Sequence, residues 1–351
     1  MSIYKGIFMI NLSKFACVVA IVGLMAASIQ AAEPSNNFKV FLCFGQSNMS
    51  GGNGVQPGAE DKATKPRIKV LAFHACPNPS RTANQWYDAC EPMHCGDGMN
   101  TLGPSYAFGR VMADSLPNDT IGLIPAGLWG VSIEMFMRGK SNTSGNKPSI
   151  VGNNAWDWML TKCKTAVKRG VFTGIILHQG ESNSGQQDWP NKVKSIYDDL
   201  KKELGITKDI PLIAGELLYS GQCSGHNSVI AKIPQTFPLG YVASAQGLSG
   251  VDAYHFNAAG YRELGKRFAQ QMMVGLRKAD PTIVRQDQQR VVSAASIKSQ
   301  RDNAKVYSLD GRFISDGAII TKAGSLRPGN IYVVANKRTG AALKLMIAPM
   351  H

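Results

Sequence analysis

Acidic residues are scarce in this chain: 24 Asp and Glu face 38 Lys and Arg, and all charged types make up only 18% of residues. A long run of one charge is absent, as are internal repeats, an Arg-rich helix and an aromatic RNA-binding motif, so nucleic acid is not an expected partner. No Cys-x-x-Cys pair or Cys/His spacing is present to suggest zinc, and neither a metal nor a cofactor is expected. Aromatics are a modest 8%. Long apolar runs are missing too, except one at the start.

That exception is Phe15 to Ile29, preceded by Lys5 and Lys14 and followed by the small residues Ala31 and Ala32. The pattern is that of a secretory signal peptide over residues 1–32, with an uncleaved N-terminal anchor as the other reading. The protein is therefore expected to be secreted or held at the cell surface. Losing this segment removes Cys17 and leaves Cys43, Cys76, Cys90, Cys95, Cys163 and Cys223. Disulfides are allowed in an oxidising compartment, and Cys76, Cys90 and Cys95 cluster in one polar loop where a staple helps most. Cys43 lies in an apolar strand pattern and reads as a buried thiol or a distant partner.

Residues 38–278 alternate between strand and helix signals. Short apolar runs at Phe38–Phe44, Thr120–Ala126, Gly174–His178 and Pro211–Gly215 read as buried parallel strands. Helical spacing falls between them, through Tyr106, Phe108 and Met112, then Trp156, Met159 and Cys163, then Val193, Ile196 and Leu200. A last helix is expected from about Ala258 to Leu276. The expected fold is α/β, a parallel sheet with helices on both faces. Four segments follow: a signal peptide at 1–32, a catalytic domain at 33–278, a polar linker at 279–305, and a small all-β tail at 306–351. In such sheets ligands bind beyond the carboxyl ends of the strands.

At that end the chain places Gly45-Gln46-Ser47-Asn48-Met49, and much later Asp252-Ala253-Tyr254-His255. A serine hydroxyl is a weak nucleophile until a base takes its proton, and a carboxylate orients that base. Ser47, His255 and Asp252 supply the three parts. The backbone N–H groups of Ser47 and Gly130 and the side-chain amide of Gln179 are candidate oxyanion donors. Competing readings make Ser47 or Asp252 a helix cap, His255 a core histidine, and Gln179 a loop strut. Gln46 and Glu181 are expected to bind substrate or order their loops. Trp86 and Trp129, in loops at the ligand end, are candidates to stack on a ring.

Three blocks, Gly45-Gln46-Ser47-Asn48-Met49, Gln179-Gly180-Glu181-Ser182 and Asp252-x-x-His255-Phe256, resemble those of SGNH-type esterases. The branch they resemble holds carbohydrate esterase family 6, the acetylxylan esterases, and the sialate O-acetylesterases. The resemblance implies a three-layer, flavodoxin-like sheet, with Ser47, Asp252 and His255 catalytic and Gln179 an oxyanion donor. Trp129-Gly130-Val131 stands where relatives usually show Gly-Gly-Thr. The implied partner is an acetylated polysaccharide, foremost acetylxylan, with other glycan O-acetyl groups or a non-catalytic wall-binding protein as alternatives. The tail, with Leu309-Asp310-Gly311-Arg312, resembles the sorting domains of type IX secretion substrates. Its basic balance also suits a surface-attachment module, so contact with secretion machinery or the cell surface is expected.

Overall fold

The computed structural model describes residues 34–51, 54–72, 74–95 and 101–282, and the backbone of four strands in the tail. The signal-peptide segment and most of the expected linker lie outside the described residues. The chain divides into two compact units, Met1–Pro281 and Thr282–His351.

Seven strands form the sheet of the first unit: β1 (Ser35–Gly45), β2 (Ile68–Leu71), β3 (Trp86–Asp88), β4 (Thr120–Gly127), β5 (Gly170–His178), β6 (Leu212–Gly215) and β7 (Gly240–Ala243). Their spatial order is β3-β2-β4-β1-β5-β6-β7, and every pairing is parallel except β2 with β3. β1 lies at the centre because its apolar run is buried on both faces, from Val40 through Phe44. The chain leaves β1 for one side of the sheet and later returns to the other, so β1 lies at a switch point where loops diverge.

Four long helices cover the sheet: α1 (Ser105–Ser115), α2 (Trp156–Val167), α3 (Trp189–Glu203) and α4 (Ala258–Ala279). On one face Phe108 of α1 meets Phe41 edge-on, with ring centroids 5.3 Å apart. Phe268 of α4 presses on the same face, within 2.7 Å of where a Cβ on Gly215 would stand. On the other face Trp156, Met159 and Cys163 of α2 and Val193, Ile196 and Leu200 of α3 share a core with Val40, Leu42 and Phe44. The four strands and four helices expected from spacing are present. β2, β3 and β7 are additions; they lack the fully buried apolar run that marks the equally short β6. Trp86 is one of them: it belongs to edge strand β3 and packs edge-on against Phe38 at 5.0 Å, so it is not a ring platform in a loop.

Of the clustered cysteines, Cys76 and Cys95 form the disulfide, while Cys43, Cys90 and Cys163 are buried thiols and Cys223 is a half-buried one. The second unit contains β8 (Ala304–Ser308), β9 (Phe313–Asp316), β10 (Ile331–Asn336) and β11 (Ala342–Ile347), antiparallel in the order β9-β8-β10-β11.

Candidate active site

β1 ends at Gly45, whose neighbours in register are Gly127 of β4 and His178 of β5. Only glycine fits there. Its φ is +145°, and an added Cβ would stand 2.0 Å from the His178 carbonyl oxygen. The close approach turns the chain sharply into the helical turn Ser47–Ser50, which starts with Ser47 just beyond the sheet.

The opposing loop is closed at its base. Asn257 donates its N–H to Ser249 O (2.9 Å), Val251 donates to His255 O (2.9 Å), and Gly250 bridges Phe256. Asn257 also caps α4, its side chain accepting from Gly260 N at 2.8 Å, so the helix starts three residues after His255. Within the loop Asp252 Oδ1 accepts the N–H groups of Tyr254 and His255, both at 2.7 Å. The same carboxylate meets His255 Nδ1 at 2.9 Å through Oδ2. His255 Nε2 lies 2.9 Å from Ser47 Oγ. Burial pushes the Asp252 carboxyl up, but the His255 ring and the two backbone N–H groups outweigh it, and the net shift is below the usual carboxylate range. An ionised Asp252 keeps a proton on Nδ1 and leaves Nε2 free to accept one from the hydroxyl.

The model of the family described as "Carbohydrate esterase, sialic acid-specific acetylesterase" matches residues 37–274, a span holding both halves of this arrangement. The chain belongs to this carbohydrate esterase family. A probable carbohydrate esterase of Arabidopsis thaliana is 25% identical over 206 residues, covering 53% of this chain and 70% of that protein. The solved structure of the Arabidopsis protein superposes with a TM-score of 0.55 at 21% identity, over 68% of this chain and 99% of the other. The structure of NanS gives 0.56 at 17%, over 70% and 99%. Likeness of this degree establishes a shared fold. Family membership makes the chain a carboxylic ester hydrolase of acetylated carbohydrates.

In this esterase the amides do something other than the spacing suggested. Gln179 is fully buried, and its amide nitrogen donates to Asn183 Oδ1 (2.6 Å) and Gln46 Oε1 (3.0 Å), with Val131 O at 3.3 Å. Its oxygen accepts Trp189 Nε1–H at 2.5 Å. An amide has two N–H hydrogens, and both are committed to protein acceptors. The expectation that Gln179 donates to an oxyanion is therefore corrected: it ties three loops together. Gln46 is its counterpart, Oε1 accepting from Gln179 and from the N–H groups of Gly180 (3.3 Å) and Ser182 (3.2 Å). Both Gln46 and Glu181 order loops.

The backbone donors remain. Ser47 N–H begins a helical turn, where such groups lack an intrahelical acceptor, and neither it nor Gly130 N–H has an acceptor among the described residues. Gly130 adopts φ +62°, with a Cβ excluded by Asn146 at 2.2 Å, and its carbonyl is held by Ser144 and Asn146. Trp129 beside it is 53% exposed at the rim.

Asn48 is the residue sequence reasoning passed over. Its Nδ2 donates to Glu181 Oε1 (2.6 Å) and Tyr254 O (2.9 Å), and its Oδ1 accepts from Tyr261 OH at 2.8 Å. One buried amide thus joins the Ser47 turn to the His255 loop. Its place beside the serine was the available signal, but no spacing rule marks an amide. Asn48→Asp sets a carboxylate against Glu181 and loses the donor to Tyr254 O. We expect kcat to fall about 10- to 100-fold with KM little changed, since an unpaired buried group costs about 1–3 kcal/mol. Steady-state kinetics on a small acetyl ester tests this; a parental kcat would remove Asn48 from the positioning role.

Among the described residues no group of three His, Cys, Asp or Glu is gathered that could hold a metal ion. A cavity of about 450 Å³ lined by Gln56, Pro57, Pro79, Glu91 and Pro92 shares no residue with the Ser47 site.

Proposed function

We propose that the chain is an exported O-acetyl esterase of glycans that works through a Ser47 acyl-enzyme. The observation that carries this is the continuous relay of hydrogen bonds from Asp252 through His255 to Ser47 Oγ. His255 Nε2 takes the hydroxyl proton as Oγ attacks the acetyl carbonyl carbon. The oxyanion of the tetrahedral intermediate is held by the N–H groups of Ser47 and Gly130. Collapse breaks the ester bond, and the sugar oxygen leaves with the proton from His255. Water then attacks the acetyl group, giving its proton to His255, and acetate departs as Oγ recovers one.

Acetylxylan is the substrate favoured by the resemblance of the three blocks. The matched family's description favours a second, O-acetylated sialic acid. The formal charge, +14 for the full chain and about +12 once Lys5 and Lys14 leave with residues 1–32, supports acidic glycans of either origin, because a basic surface concentrates polyanions. Acetate release from acetylxylan and from O-acetyl sialic acid, beside p-nitrophenyl esters of rising chain length, separates the readings. We expect acetyl esters to be preferred by at least about tenfold, the scale set by one or two methylenes in a fitted pocket. A preference for long acyl chains would sink the glycan reading.

The strand order, with β4-β1-β5-β6-β7 running as a flavodoxin-like series, supports assigning the catalytic unit to the three-layer SGNH type. For residues 1–32 we infer cleavage on export, and for the tail from Val306 a sorting or attachment role. Deleting residues 285–351 should then leave turnover of a small ester unchanged while altering secretion or polymer binding. Lost turnover would make the tail part of the catalytic fold.

A further inference from the structure

We propose that the exposed rings of Tyr254 and Tyr219 form the seat of the sugar whose acetyl group is removed, a pyranose stacked on the His255 side of Ser47. The inference rests on the esterase reading above and adds to it where the alcohol half of the substrate lies.

Proton transfer fixes the direction. The leaving oxygen must collect its proton from His255 Nε2, which stands 2.9 Å from Ser47 Oγ. The acetyl group occupies the oxyanion side, so the sugar extends over the loop that carries the imidazole. Beside the Asp252 carboxylate, that loop shows two large apolar side chains to solvent. Tyr254 is 40% exposed and Val251 is 50% exposed, and the Tyr254 ring meets the His255 ring near edge-on at 6.3 Å. Tyr219, 46% exposed, belongs to the neighbouring turn. That turn abuts the same loop: Gln222 N–H donates to Ala253 O at 2.9 Å, and a Cβ on Gly221 would stand 2.7 Å from that oxygen.

Both phenols are anchored at their tips. Tyr254 OH donates to Gln222 Oε1 at 2.5 Å and Tyr219 OH to Glu216 Oε1 at 3.0 Å. The rings are held before a ligand arrives, so stacking costs little side-chain entropy. Among the described residues only six large apolar side chains are exposed; Val251 and Tyr254 belong to the His255 loop and Tyr219 to the turn that abuts it. An apolar patch kept in water beside a reactive group marks a binding surface. The faces of a pyranose, lined by C–H groups between equatorial hydroxyls, match flat rings of this kind.

The test compares kcat/KM for an O-acetylated xylo-oligosaccharide, or the O-acetylated sialic acid if the enzyme prefers it, with kcat/KM for ethyl acetate, which has no ring. Tyr254→Leu and Tyr219→Leu should each lower the sugar-to-ethyl ratio about three- to tenfold, chiefly through KM, as for loss of one aromatic contact. Tyr254→Phe, which keeps the ring, should restore most of the ratio. Equal losses on both esters would mean that the rings only support the loop, and would overturn the inference while leaving the esterase reading intact. An unsubstituted chain that releases acetate from neither ester would overturn both.

Discussion

Ser47→Ala should lower acetyl-ester hydrolysis by roughly 10⁴- to 10⁶-fold, the loss seen when a serine nucleophile acting with a histidine is removed. The substitution deletes one atom whose hydrogen-bond partner is His255 Nε2, while the Ser47 carbonyl still accepts from Ser50 Oγ in the turn. Folding should survive, which a thermal melt checks. Hydrolysis of a small acetyl ester and labelling by a fluorophosphonate give the direct measurements. Retained turnover, or labelling undiminished in the variant, is incompatible with a Ser47 acyl-enzyme.

Asp252→Asn should cost about 10⁴-fold in kcat, because the error it introduces is one of tautomer. The carboxylate accepts the His255 Nδ1 proton at 2.9 Å and two backbone N–H groups at 2.7 Å. The backbone donors hold the amide oxygen of an asparagine in the Oδ1 position, which turns its NH₂ toward Nδ1. The ring must then carry its proton on Nε2, and it cannot accept one from Ser47. The wild-type carboxyl is held below the usual carboxylate range, its hydrogen bonds outweighing burial. A folded-state pKa lowered in this way stabilises the loop above the unfolded value and loses that support as pH falls through the folded one. Acid therefore loosens the loop in the wild type, and the variant should lack that part of the acid sensitivity. Activity within about tenfold of wild type would assign the orienting role to another acid.

The parts legible in the sequence are those where side-chain type alone restricts the chemistry. An apolar run ending in Gly45-Gln46-Ser47 predicts a buried strand delivering a serine, because few residue types tolerate that backbone or supply that hydroxyl. Asp252 and His255, three apart before a helix, predict an oriented imidazole for the same reason. β2 and β7 were illegible, being short strands whose burial comes from neighbours far along the chain. Trp86 and Trp129 looked alike as loop tryptophans. Pairing of β3 with β2 half-buried the first against Phe38, while the second stayed exposed.

The residue types and spacing of Ser47, Asp252 and His255 were thus legible in the sequence, while folding supplied the hydrogen bond that joins Ser47 to His255. What tertiary structure decided was the work of the amides. Gln179 and Asn48 each carry donors and an acceptor, so their roles depend on which atoms folding brings opposite them. For Gln179 these are Asn183 and Trp189 nearby in the chain and Gln46, 133 positions away; for Asn48 they are Glu181, also 133 away, and the Tyr254 carbonyl, 206 away. Ser47 and His255 are 208 positions apart as well, but a hydroxyl nucleophile narrows its partner to a base, whereas an amide pairs with almost any polar group.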